Sequence, residues 1–290
     1  MSENVVSNRY EFAMLFDVEN GNPNGNPDAE NRPRIDFETG LGQVSDVCIK
    51  RKIRNYIQRI KNFDFGYDIF IREQTVLNDA LDNAYEQPEV KASNPKDKIK
   101  VANAYMRKRY YDVRTFGAVM TTGTNSCGQV HGPAWLSVMA NSIDRVEVQE
   151  HCITRNCVTN AKDSEKQSGV NQTMGRKFSI PYGLYFMKGG IDASWAKKSG
   201  FTESDLELFW EALKNMFDLD RSASRGIMSL CGLYVFKHDS ELGNCPAKEL
   251  FDRISVVKNE GVEVPRKFSD YSVTVNEENL PSGIEFIKMV

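Results

Sequence analysis

Apolar and polar positions alternate from residue 10 onward. Tyr10, Phe12, Met14, Phe16 and Val18 share one side, which predicts a strand with one face on a core. From Ser45 the period changes to 3.6. Ile49, Ile53, Tyr56, Ile57 and Ile60 form one stripe of a helix running to Lys61, with Ser45 as N-cap and Asp46 in the first turn. A short strand is expected over residues 68–72. A polar, helical insertion then spans 74–108, broken at Glu86-Gln87-Pro88 and Ser93-Asn94-Pro95. Strand signals resume over 113–120, 135–139 and 146–148. Residues 153–175 are polar and aperiodic, as expected of a protruding arm. Alternation returns at Phe178, Ile180, Tyr182, Leu184 and Phe186. Thr202 with Asp205 then resembles a capping box, opening an amphipathic helix to about residue 218. Further strands are expected over 228–236 and near 254–258, 271–275 and 284–288.

That order predicts an α+β fold in which two βαβ-like halves share an antiparallel sheet. Such an arrangement is ferredoxin-like, the architecture of RNA-recognition-motif domains. With 40% apolar residues in 290 the chain is expected to build a full core. No apolar run is long enough to cross a membrane and no signal-peptide core is present, so the expected location is the cytoplasm. The six cysteines follow no disulfide framework, and three histidines without a CxxC pair give no zinc spacing, so neither metal nor cofactor is expected.

Charge changes the picture. The chain carries 37 Lys and Arg against 40 Asp and Glu, a net charge of -3. Yet on the 45–61 helix Lys50, Arg51, Arg54 and Lys61 fall within an arc of roughly 100°, while Asp46 is the sole acid. A helix serving only solubility normally mixes signs. Segregated cations suggest an anionic polymer as partner. The preceding loop strengthens this reading. Asn20-Gly21-Asn22-Pro23-Asn24-Gly25-Asn26-Pro27 is dense in turn dipeptides that expose amide donors suited to phosphate or sugar oxygens, although a single such dipeptide would mean only a turn. Further cationic clusters lie at Arg107-Lys108-Arg109, beside Tyr110 and Tyr111, and at Arg176-Lys177. Arg221-Ser222-Ala223-Ser224-Arg225-Gly226 reads as a small basic loop.

Several of these segments resemble a known family. They are Phe16-Asp17-Val18-Glu19-Asn20-Gly21-Asn22-Pro23-Asn24-Gly25, Pro33-Arg34-Ile35-Asp36, Thr39-Gly40, residues 45–56, Asp112-Val113-Arg114-Thr115-Phe116-Gly117 and Pro181-Tyr182-Gly183-Leu184-Tyr185. Together they are similar to the backbone subunit of the subtype I-C CRISPR Cascade surveillance complex, in the RAMP superfamily. The resemblance implies a hand-shaped single domain with an RNA-recognition-motif-like palm, a helical finger insertion at 74–108 and a thumb arm at 153–175. It implies copies polymerised along one CRISPR RNA, held by its phosphates without base reading, with other subunits capping the filament and the guide pairing with target DNA. Asn20, Asn22, Asn24, Lys50, Arg51, Arg54 and Arg114 would then line the palm groove. Met174, Arg176 and Lys177 would form the thumb base, with Ser222 and Arg225 in the small loop near the RNA. The sequence departs from the family pattern at Asn26, where Asp is usual, at Glu30, where Gly is usual, and at His131, where Arg is usual. His is the weaker phosphate ligand. A rival reading is a metal-dependent endoribonuclease of the type III kind, with Asp17, Asp28 and Asp36 as available carboxylates. These aspartates also fit ordinary turn and capping roles.

Overall fold

The computed structural model describes residues 4–166 and 171–290. Its centre is the strand Tyr10–Gly21, hydrogen-bonded along its length to Thr173–Ile191 on one side and Ile227–His238 on the other, both antiparallel. The sheet runs in the order Ile284–Lys288, Ile227–His238, Tyr10–Gly21, Thr173–Ile191, Met139–Arg145, Leu41–Ser45. Ala134–Leu136 and Gln149–Arg155 pair with the two ends of Thr173–Ile191. The result is a mixed α/β fold around a central antiparallel sheet.

The alternation at the first strand predicts one buried face; the structure buries both. Tyr10, Phe12, Met14, Phe16 and Val18 meet the helices Asp46–Lys61 and Glu203–Leu219. Phe12 lies edge-on to Trp210 at 5.2 Å between ring centres, and Phe16 stacks on Tyr185 at 5.4 Å. Ala13 and Leu15, on the other face, are covered by Leu250, Phe251, Ile254 and Tyr271 of the C-terminal segment, which includes the hairpin of Ile254–Lys258 with Tyr271–Val275. Each large side chain sealed this way contributes roughly 1.5–3 kcal/mol. Asp17 also lies on this covered face. The Tyr182 hydroxyl donates to its carboxylate at 3.0 Å, and burial pushes the carboxyl pKa up.

The insertion folds as helices Leu77–Tyr85, Pro88–Ala92 and Lys98–Arg109, around a small core that includes Phe70, Leu81, Met106 and Tyr110. Pro88 takes a first-turn position, where its missing N–H costs nothing. The expected strand at 113–120 is instead a helix, Tyr111–Phe116, followed by a strand, Gly117–Met120. Residues 111–115 are all buried, so the local apolar pattern carries no helical period. Residues 68–72 form no strand beyond a single bridge from Asp68 to Tyr110, and 146–148 are irregular. The arm expected at 153–175 starts earlier, because Gln149–Arg155 pairs with Thr173–Ser179; residues 167–170 of that expectation lie outside the described residues. Among the described residues, no helix is long and apolar enough to cross a membrane.

Arg114, expected in a groove, is a buried structural residue. Nε and Nη2 hold the Asp205 carboxylate at 3.1 and 2.7 Å, Nη2 also donates to the Gly66 carbonyl, and Nη1 donates to the carbonyls of Arg107 and Lys108. All five N–H donors are thereby taken. Asp205 also closes the capping box with Thr202, so this pair ties the insertion to the second helix. Arg114→Ala strands a buried carboxylate and is expected to cost about 3–5 kcal/mol in denaturant unfolding, with the Arg114→Ala/Asp205→Ala double variant losing less than the sum of the singles.

Candidate nucleic-acid interface

Where the first strand ends, its loop meets the loop preceding Ile227–His238 backbone to backbone. A Cβ on Gly21 would overlap the Arg225 carbonyl, and one on Gly226 would overlap the Glu19 carbonyl and the Gly21 Cα. Both positions therefore require glycine. The Asn22 N–H donates to the Ser224 carbonyl at 2.8 Å and completes the junction. The asparagine-rich loop then folds back on itself. Asn22 Nδ2 donates to the Asn31 carbonyl at 2.6 Å, and Asn24 Oδ1 accepts from both the N–H and the hydroxyl of Ser45 at 2.9 Å. Ser45 is the N-cap of the Asp46–Lys61 helix, so Asn24 fixes the loop to the helix start. Glu30, the departure from glycine, sits at φ +53 in the left-handed region that glycine would occupy without strain.

The loop, the first turns of the helix and the 222–225 segment enclose a cleft of about 410 Å³. Five expected site residues line it: Asn22, Asn24, Arg51, Ser222 and Arg225. Arg34 lines it as well. Its Nε is buried without a hydrogen bond, as is Asn22 Oδ1. The sequence places Arg34 within the Pro33-Arg34-Ile35-Asp36 motif but marks no site role for it, although it is a cation in the same loop excursion. Asn20, at φ +48, is exposed just before the junction.

The helix cations divide. Arg51 reaches the cleft while donating to the Ile71 carbonyl at 2.8 Å, and its Nε lies 4.0 Å from Glu73. Arg225 holds Asp220 at 2.9 Å. Asp220 also pairs with the buried Lys52, whose pKa burial pushes down. Lys50 and Arg54 do not line the cleft. Lys50 pairs with Asp46 at 2.9 Å, and Arg54 holds the buried Asp112 at 2.7 Å while lying over Phe116. The Asp112 carboxylate also accepts from the N–H groups of Phe70 and Ile71, so Arg54 neutralises an anchor of the insertion. The pure cationic face read from the sequence is thus partly an internal ion-pair set, because acids such as Asp112 and Asp220 reach the helix from far along the chain.

The remaining expected residues sit on the arm. Met174 is 71% exposed, Arg176 faces Glu150 at 3.3 Å, and Lys177 stands opposite His151 in the strand register. Glu150 also approaches Arg32 at 3.8 Å, bringing the arm base beside the asparagine-rich loop. Asp17, Asp28 and Asp36 occupy separate settings: Asp17 under the C-terminal cover, Asp28 in the 3-10 turn Pro27–Ala29, and Asp36 in its own turn with Thr39. Among the described residues, no group of three or more His, Cys, Asp or Glu is placed to hold a metal ion.

A CRISPR-associated protein Cas7 from Haloferax volcanii is 28% identical over 235 residues, covering 72% of this chain; the match spans 65% of that relative's length. Two solved chains, titled as parts of a CRISPR RNA-guided surveillance complex, one of them pre-nicking, align over 79% of this chain. Their TM-scores are 0.48 and 0.44 at 11% and 14% identity, and the alignments cover 78% and 68% of those chains. The family profile for CRISPR-associated protein Cas7 matches residues 8–276, and the chain belongs to that family.

Proposed function

We propose that this chain is a non-catalytic backbone subunit of a CRISPR surveillance complex, holding CRISPR RNA by its phosphates without regard to base sequence. Several copies would line up along one RNA, capped by other subunits, with the guide left free to pair with target DNA. The observation that carries this reading is the convergence, in a Cas7-family chain, of the asparagine-rich loop, the helix start and the 222–225 loop on one cleft bearing Arg34, Arg51 and Arg225. Guanidinium groups and a helix N-terminus match phosphate oxygens, and contacts to phosphate carry no base preference.

The strand order supports a ferredoxin-like palm. The strands Tyr10–Gly21, Met139–Arg145, Thr173–Ile191 and Ile227–His238, taken as one to four, lie in the order four, one, three, two, with both long helices on one face. An RNA-recognition motif stacks bases on its open sheet face. Here the C-terminal segment covers that face, which leaves the strand-end cleft for the RNA. The insertion would serve as fingers and the arm as a thumb, with Met174 presented for insertion between bases. Lys50 would act from the cleft's flank, and Arg54 and Arg114 would hold the frame from inside. A role on an RNA polymer fits a cytoplasmic location.

The combined Arg51→Ala/Arg225→Ala variant is expected to weaken RNA binding equally for unrelated spacers. It should also reduce the slope of log affinity against log salt by roughly 0.7 for each phosphate no longer neutralised, as measured by filter binding at several salt concentrations. Dependence of the weakening on spacer sequence would contradict base-blind gripping. Light scattering should find a particle mass that rises in subunit-sized steps as the RNA is lengthened; a fixed mass at all RNA lengths would contradict polymerisation.

A further inference from the structure

A second cleft, of about 400 Å³, lies at the far end of the Asp46–Lys61 helix. Phe65, Gly66, Tyr67, Arg107 and Lys108 contribute to its walls, together with Arg114, which is held by Asp205. Fifteen helical rises of 1.5 Å separate the two ends of the helix, about 22 Å, so one phosphate cannot serve both clefts.

Around this second cleft the cations lie over aromatic rings. Lys61 stands 4.8 Å from the centre of Tyr67, Lys108 5.8 Å from Phe65, and Lys198 4.2 Å from Trp195, which itself stacks on His131 at 4.5 Å. Among the described residues, Lys61, Arg107, Lys108 and Lys198 form no ion pair. Lys197, next in the chain, pairs with Glu241 instead, and Asp64, the acid of the 62–67 loop, pairs with none of the four. Phe65 is 58% exposed. A solvated surface intersperses acids among its cations; this one instead sets unpaired cations around the exposed ring of Phe65. Single-stranded nucleic acid is what such a surface suits, since rings stack with any base and cations track the backbone.

We propose that this cleft binds a single-stranded nucleic-acid segment separate from the one held at the asparagine-rich loop, with Phe65 as stacking platform and Lys108 and Lys198 as phosphate ligands. The inference does not depend on what occupies the first cleft.

The test is fluorescence anisotropy with labelled oligo(dT) and oligo(rU) of equal length, added to the full chain carrying Arg51→Ala/Arg225→Ala, which weakens the first cleft so that the probe reports on the second. Both probes are expected to bind, and a preference for one sugar identifies the source as a DNA or an RNA strand. Lys108→Ala/Lys198→Ala should weaken probe binding roughly tenfold and lower the salt slope by about 1.4, two phosphates at roughly 0.7 each. Phe65→Ala should weaken it by a similar factor with the salt slope unchanged. Lys108, Lys198 and Phe65 are exposed, and unchanged thermal midpoints would exclude unfolding as the cause. Failure of both probes to bind the Arg51→Ala/Arg225→Ala chain overturns the proposal, as does probe binding indifferent to Lys108, Lys198 and Phe65; RNA affinity of the chain with Arg51 and Arg225 intact, measured in the same series, reports separately on the first cleft.

Discussion

The fold turns on the close approach of two chain segments at Gly21 and Gly226. Strands that pair side by side must end side by side, and here the backbones touch with no room for a single methyl group. That junction fixes the direction in which the asparagine-rich loop leaves the sheet. Asn24 then carries the constraint onward to Ser45 and the helix start. Segments far apart in sequence, the loop after the first strand, the helix start and the 222–225 loop, come to share one wall because two glycines allow them to.

Charge in this protein has two uses that look alike in sequence. A guanidinium such as Arg114, with every donor occupied in the interior, is a structural clamp. One such as Arg51, anchored at one nitrogen and turned toward a cleft, keeps donors for something else. The clamps are costly to build, since a buried ion pair must overcome the desolvation of both groups. Arg54 with Asp112 and Arg114 with Asp205 join the helical insertion to the sheet-packed helices, so electrostatics tie the insertion down at its root.

Much of the architecture was legible from local pattern. The C-terminal strands expected near 254–258, 271–275 and 284–288 stand at those bounds, and Thr202 with Asp205 announced the capping box. Where burial was complete the pattern failed, as at residues 111–115, since a segment enclosed on all sides carries no period. For the candidate site, the loop and the 222–225 segment were legible from turn chemistry. The distinction between Arg51 and Arg54 was not, because it depends on a carboxylate 58 residues downstream. Arg34 was missed for the opposite reason: its place in the cleft comes from enclosure, which no neighbour in sequence signals.

The strand Thr173–Ile191 belongs to arm and core at once. Its pairing with the arm partner ends at Ser179, and its pairing with the central strand begins at Ile180. No residue between them serves as a joint. A pull on the arm is therefore passed directly to the backbone hydrogen bonds of the central sheet. The arm is a cantilever whose root is the central sheet itself.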